Sequence, residues 1–297
     1  MRYAIFILVM TLLMLGGCAK QLQPLMHHVA CPEGKIYAMD RAECIDRNTL
    51  LDALEPYPVI FLGDQHKRAD VHAFAASLIE GLSRRGYRVH LANEWFTPAD
   101  NGVLSDYAAS RFDDGNFTSK IGWKQKAGYD FSLYAPVYHA IQHSHGALYG
   151  VNLDKAVRKK ISDANVTGMN KEEAAFYRAL DLNVSAHRQM LEPYLDHCRH
   201  GGNGSACIER MYRVQVAWDT KMALESASLA DEVLRTQRDK LIVFAGAMHF
   251  ASHLGVNMRF SRRSNLPSVT ILPVERDSEG YEHALAEFLY LYIPEPK

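Results

Sequence analysis

The chain has 297 residues, with 33 Lys and Arg against 34 Asp and Glu for a net charge of −1. Apolar residues make up 48% and charged residues 23%, which excludes a disordered, collagenous or coiled-coil chain. There is no basic excess, so no nucleic-acid partner is expected, and the length suits a single α/β domain.

The first residues set the expected compartment. Arg2 precedes an apolar run from Ala4 to Leu15, too short to span a bilayer but suited to the core of a signal peptide. The run ends in Leu15-Gly16-Gly17-Cys18, which resembles a bacterial lipobox. Cleavage before Cys18 and acylation of its thiol, palmitate included, would give an anchored lipoprotein of the cell envelope, facing the periplasm or the surface and most readily placed in the outer membrane. The chain then divides into a signal peptide (residues 1–17), a lipidated tether with a small N-terminal segment (18–50) and an α/β domain (51–297). Besides Cys18 there are Cys31, Cys44, Cys198 and Cys207. An even number in an oxidising compartment suggests disulfides. Of three possible pairings the local one, Cys31–Cys44 with Cys198–Cys207, is favoured over free thiols. No spacing reads as a zinc site.

Residues 19 to about 49 read as irregular. Val59 to Gly63 is a short apolar run of the kind parallel sheets bury. Ala69 to Arg85 carries Val71, Phe74, Ala75, Leu78, Ile79 and Leu82 at helical spacing, with Asp70, His72, Ser77 and Glu80 on the polar side, and Gly86 stops it. Tyr87 to Asn93 is a second strand and Pro98 to Phe112 a helix. Asp113 to Asp130 reads as a long loop. Ser132 to Ser144 is a helix and Ala147 to Leu153 a third strand. Asn170 to about Arg199 and Ser205 to Gln237 read as two long helices joined at Gly201-Gly202-Asn203-Gly204. Leu241 to Ala245 is a fourth strand, with further strands at Ser268 to Val274 and Phe288 to Ile293. This alternation predicts an α/β fold with a mostly parallel sheet, helices on both faces and an inserted helical hairpin.

In such a sheet, ligands bind outside the carboxyl ends of the strands. There the sequence puts Gly63-Asp64-Gln65-His66, then Asn93-Glu94, then Asn152, then Gly246-Ala247-Met248-His249. Asp64, His66, Glu94, Asn152 and His249 are therefore expected around one crevice. His66, Glu94 and His249 could hold a divalent metal, or with Asp64 act as a metal-free acid/base set. Each could also merely end a strand. In the long helix Gln215 and Asp219 lie within the stripe Ile208, Met211, Trp218 and Met222. They read equally as a satisfied packing network or as support for the crevice. Arg259 could pair with a carboxylate or sit in a surface ion pair.

The paired G-x-x-H motifs with Glu94 resemble the signature of the Tiki superfamily. More narrowly the chain resembles the ChaN-like haem-binding lipoproteins, from about Val59 to the C-terminus. Leu62 to His66 is similar to the family's L-G-E-x-H. Trp123 with Tyr134-Ala135-Pro136-Val137 is similar to its W…Y-x-P-[LIV]. His197-Cys198 with Gln215, Asp219, Met222 and Ala223 is similar to its H-C…Q…D…M-A, and Gly246 to Arg259 to its G-x-x-H…G-V-P-x-R. Asp64 stands where Glu is usual, Trp218 where a basic residue is usual, and Met248 and Asn257 also depart from the pattern.

The resemblance implies haem binding in iron uptake, by a homodimer that buries two haems face to face. Each iron would take a Tyr from one subunit, while a His and a Lys of the other hold the propionates. Phenolate suits ferric iron, and propionates need cations or hydrogen-bond donors. On this reading Tyr134 or Tyr129 is the ligand, and Lys124, His66 and His249 are cofactor-binding residues. Tyr134 also flanks the apolar stripe Leu133, Val137, Ala140 and Ile141 and reads as packing. An outer-membrane haem or iron receptor is the implied partner. The alternative from the superfamily's peptidases is a metal-dependent hydrolase using His66, Glu94 and His249.

Overall fold

The computed structural model describes residues 26–27, 31–32, 34–198, 204–276 and 280–293. The expected signal peptide, Cys18 and residues 201–203 of the predicted turn lie outside the described residues. In chain order the strands are β1 (Met26–His27), β2 (Ile36–Ala38), β3 (Glu43–Ile45), β4 (Val59–Asp64), β5 (Arg88–Asn93), β6 (Leu148–Gly150), β7 (Asp239–Gly246), β8 (Ser268–Glu275), β9 (Tyr281–Glu282) and β10 (Phe288–Tyr292). The helices are α1 (Arg47–Ala53), α2 (Ala69–Arg84), α3 (Asn101–Ala108), α4 (Asp114–Ile121), α5 (Trp123–Lys126), α6 (Phe131–His143), α7 (Lys155–Ser162), α8 (Lys171–Arg178), α9 (Ser185–Leu191), α10 (Gly204–Val233) and α11 (Val256–Ser261).

Eight strands form one sheet in the order β3-β2-β10-β8-β4-β7-β5-β6. From β10 to β6 every pairing is parallel, and β2 and β3 add antiparallel at one edge. A parallel strand buried on both faces needs apolar residues at odd and even positions alike. In β4, Ile60 and Leu62 enter the core under α2 and α6, while Val59 and Phe61 enter the core under α10 and α11. In β7, Ile242 and Phe244 face the first core, and Leu241, Val243 and Ala245 the second. The fold is thus the predicted α/β sandwich with helices on both faces.

Several local expectations change. Residues 36–45 are not irregular: β2 and β3 join the main sheet, and Ile36, Ala38 and Ile45 enter its core. The predicted loop Asp113 to Asp130 holds two helices. Asp113 caps α4 by accepting the Asn116 N–H at 2.7 Å, and Gly122, at φ +69°, turns the chain into α5. Their apolar residues, Phe117, Ile121 and Trp123, are spaced too unevenly for a single helical period. α7 was not predicted. The first long helix is broken into α8, α9 and a 3₁₀ segment, Glu192–Cys198. Between α8 and α9 the Asp181 carboxylate accepts the Asn183 N–H at 3.1 Å, a local bond that competes with helix continuation. The inserted hairpin is therefore one continuous helix, α10, against a segmented partner.

Both local disulfides form, Cys31–Cys44 and Cys198–Cys207, with sequence separations of 13 and 9. Loops of this size constrain the unfolded chain by about 3 kcal/mol. Replacing Cys31 and Cys44 together by Ser is expected to lower stability by about 2–3 kcal/mol in urea titration. A change below about 0.5 kcal/mol would show that the bond adds nothing to the edge it staples.

Candidate functional site

The carboxyl ends of β4, β5 and β7 lie side by side, with Asp64 paired to Gly246 and Asn93 to Phe244. This register brings both G-x-x-H motifs and Glu94 together. At the end of β4, the buried Asp64 accepts from His66 Nδ1 at 2.6 Å and from His72 Nε2 at 2.7 Å. Beyond β7, His249 Nδ1 lies 2.6 Å from Asp219 Oδ1, and the Gln215 amide donates to the same carboxylate at 3.1 Å. The other oxygen of Asp219 has His187 Nε2 at 3.3 Å and the Arg259 guanidinium at 3.8 Å. Each aspartate is thus bracketed by two histidines.

Glu94 stands between the two pairs. Its Oε1 is 3.7 Å from His66 Nε2, and its Oε2 is 3.5 Å from His249 Nε2. The Gly246 N–H donates to Oε2 at 2.8 Å. A Cβ on Gly246 would sit 3.3 Å from the His66 ring and 3.7 Å from Glu94, so glycine keeps the backbone close without crowding the imidazole. Because each Nδ1 faces an aspartate, the tautomer and ring orientation of both histidines are set and both Nε2 atoms are presented to the site.

The electrostatics come from this geometry. Burial alone would raise the Asp64 pKa, but hydrogen bonds from His66 and His72 and their charge hold it below the ordinary value. Asp219 behaves alike: burial is outweighed by His187, His249 and Arg259. Burial would lower the pKa of His66 and of His249. The hydrogen bond to Asp64 and the nearby Glu94 raise the first, and Asp219 and Glu94 raise the second. The protonated form of both imidazoles is thus stabilised relative to a free histidine.

Beside this network opens a cavity of about 1020 Å³, at the upper end of the usual size for ligand sites. Its floor is Asp64 to His66 and Gly246 to His249. Its walls are Met190, Pro193 and Tyr194 from α9 and the 3₁₀ segment, Leu272 to Arg276 of β8 and the residue after it, and Tyr281, Leu285 and Tyr292. Tyr194 is 63% exposed, an unusual state for a large aromatic side chain on a cavity wall.

The predicted residues sort clearly. Asp64, His66, Glu94 and His249 come together as expected. Asn152 braces the turn instead: its amide donates to the Glu94 backbone carbonyl. Gln215 and Asp219 are crevice support rather than generic packing, and Arg259, 6% exposed, is no surface ion pair. Tyr134 is wholly buried in an aromatic cluster with Trp95 and Trp123, its hydroxyl 3.4 Å from Asp64. It does not line the cavity. Tyr129 lies outside the cavity lining, its ring 5.3 Å from His66. Burial and the charges of Glu94 and Asp64 push its pKa up, against phenolate formation. Lys124 is exposed on α5 and does not line the cavity.

Sequence reasoning missed three residues. His72 was assigned to the polar face of α2 but is fully buried on Asp64. His187 and Tyr194 lie in the broken helical segment. An i, i+2 and i, i+8 pair of histidines around one aspartate was the available signal for His72. The metal reading gains no support: among the described residues no group of three or more His, Cys, Asp or Glu side chains is placed to hold a metal ion.

With this geometry in view, comparison with known proteins places the chain. Residues 50–260 match the family model described as haem-binding uptake, Tiki superfamily, ChaN. The chain belongs to this family. No curated protein matches it. Among solved structures it is similar to one described as cofacial haem binding to ChaN of Campylobacter jejuni, with a TM-score of 0.67 at 14% identity, covering 86% of this chain and 95% of that one. It also matches the type III effector HopBA1, at TM-score 0.43 and 14% identity over 84% of this chain and 94% of that one. A third match is a succinoglycan biosynthesis protein, at TM-score 0.43 and 14% identity over 76% and 68% of the two chains. The ChaN likeness confirms the fold of this family member, mixed α/β about a mostly parallel sheet.

Proposed function

We propose that this ChaN-family protein binds haem as cargo in the cavity at the carboxyl edge of its sheet, in iron acquisition at the bacterial cell envelope. The observation that carries this reading is the cavity itself. It is large, its walls are mainly apolar, and the exposed Tyr194 stands on one of them beside Met190 and Pro193. A porphyrin fits an apolar slot, and a Tyr phenolate is one of the side chains that ligate ferric haem iron. Tyr194 stands exposed on this wall, whereas Tyr134 is wholly buried and neither it nor Tyr129 lines the cavity.

The remaining elements of the reading come from the sequence. Leu15-Gly16-Gly17-Cys18 supports a lipid anchor on Cys18 and hence an envelope location, most readily the outer membrane. No described helix is long and apolar enough to cross a membrane. A ligand on an open wall, as at Tyr194, is half covered by one chain. A second copy would complete the enclosure, with the exposed Lys124 and the rim residue Tyr129 as the candidates for contact with propionates. An outer-membrane haem receptor is the proposed donor.

A hemin titration of the purified protein tests the reading, monitored by absorbance and by molar mass in solution. The expected result is a saturable Soret shift at one haem per chain, with the mass doubling. Non-saturable adsorption without a shift would refute it.

A further inference from the structure

A haem carrier needs an apolar slot and an iron ligand. It does not need two buried aspartates, four histidines and a glutamate packed beneath the slot. Burying such groups carries a desolvation cost that apolar packing would avoid. The network therefore calls for a chemical task, and its arrangement indicates which.

We infer that this site also removes the metal from the porphyrin it holds, with His66 and His249 each delivering a proton to a pyrrole nitrogen. The inference rests on the haem reading and deepens it. The stoichiometry matches. A metalloporphyrin carries two anionic pyrrole nitrogens' worth of charge, and releasing the metal takes two protons. The site offers two imidazoles on the cavity floor. Each has its Nδ1 on an aspartate at 2.6 Å and its Nε2 toward Glu94. Their side chains are 36% and 14% exposed, open enough to meet a ligand and closed enough to stay oriented. Glu94 lies within 3.7 Å and 3.5 Å of the two Nε2 atoms. It offsets the charge of two neighbouring imidazoliums, which would otherwise repel. The groups facing the pair are Asp64 and His72 on one side, Asp219, His187 and Arg259 on the other, and Glu94 between. Their balance raises both histidine pKa values.

The step balances without a redox partner. Two N–H bonds form as the bonds from those nitrogens to iron break. The imidazoliums become neutral and regain protons from water. The iron leaves in the oxidation state in which it arrived. Net, one iron porphyrin and two protons give metal-free porphyrin and one iron ion.

The test uses the full protein loaded with iron protoporphyrin, and in parallel with zinc protoporphyrin, at neutral pH with an iron or zinc chelator present. Saturable binding is read first from the Soret band. Metal-free porphyrin emission is then recorded per porphyrin bound, so a weaker-binding variant does not distort the rate. The expected result is metal-free porphyrin at a rate well above that of the free metalloporphyrin in buffer. In the His66→Gln, His249→Gln double variant the rate falls about 100-fold, the scale of positioned general acids. Porphyrin that binds and keeps its metal would overturn the inference while leaving the haem reading intact, and absence of binding would remove both. A second readout needs no turnover. In unloaded protein with ¹⁵N-labelled histidine, His66 and His249 are expected to titrate above the ordinary 6.5. Titration of either imidazole at or below 6.5 would overturn the inference.

Discussion

Replacing Tyr194 by phenylalanine is expected to weaken haem binding by about 30-fold or more and to abolish the phenolate-to-iron charge-transfer band. The substitution keeps the ring and its contacts with the cavity wall and removes only the oxygen. Loss of one dominant contact costs about 2–4 kcal/mol at well-packed sites, and 2 kcal/mol corresponds to about 30-fold in affinity. On the cavity wall Tyr194 is 63% exposed, whereas Tyr134 is 0% exposed and off the cavity lining. Tyr134→Phe should leave the haem spectrum unchanged, because its hydroxyl is turned to Asp64 at 3.4 Å. The competing outcome is clear. If Tyr194→Phe binds haem with an unchanged spectrum and Tyr129→Phe loses the band, the ligand lies on the rim beside His66.

Asp219→Asn is expected to cost about 3–5 kcal/mol of folding stability, the scale of breaking a buried charge pair by removing one partner. Asp219 is wholly buried and touches His249, Gln215, His187 and Arg259. An amide there leaves the Arg259 guanidinium, 6% exposed, without its carboxylate. Urea unfolding of the unloaded protein at pH 6 measures the loss, and a change below about 1 kcal/mol would contradict the network's structural weight. The pH dependence is set by the directions of the shifts. Asp64 and Asp219 have depressed pKa values, so their contribution is present above the ordinary 3.8 and is lost as pH falls through the folded values. His66 and His249 have raised pKa values, so theirs is full below the ordinary 6.5 and is lost as pH rises through the folded values. The wild-type network thus contributes most between about pH 4 and 6.5. In Asp219→Asn the acid limb of this profile should flatten.

Much of the fold was legible in the sequence. The helix expected at Ala69 to Arg85 forms as Ala69–Arg84, because six apolar residues at helical spacing leave one face that only burial satisfies. The strand expected at Val59 to Gly63 forms as Val59–Asp64, and its unbroken apolar run reflects two packed faces. The G-x-x-H motifs then placed Asp64, His66, Glu94 and His249 at the carboxyl edge, since the parallel strands of such a sheet all release their next residues on the same side. Short apolar periods could not show the helices within 113–130, and a two-long-helix reading could not see the breaks that carry His187 and Tyr194.

What the amino-acid order determined by itself is therefore the layered α/β architecture and the edge where chemistry collects, because both depend on local periodicity and strand direction. The tertiary structure alone decided which polar groups are buried and what they touch. His72 reads as a surface residue until Asp64 is seen 2.7 Å away. Asp219 reads as one residue of a helical stripe until His249, His187 and Arg259 converge on it. A buried polar side chain is held by its partner, not by its neighbours in sequence, and those partners come from strands and helices that only folding brings together.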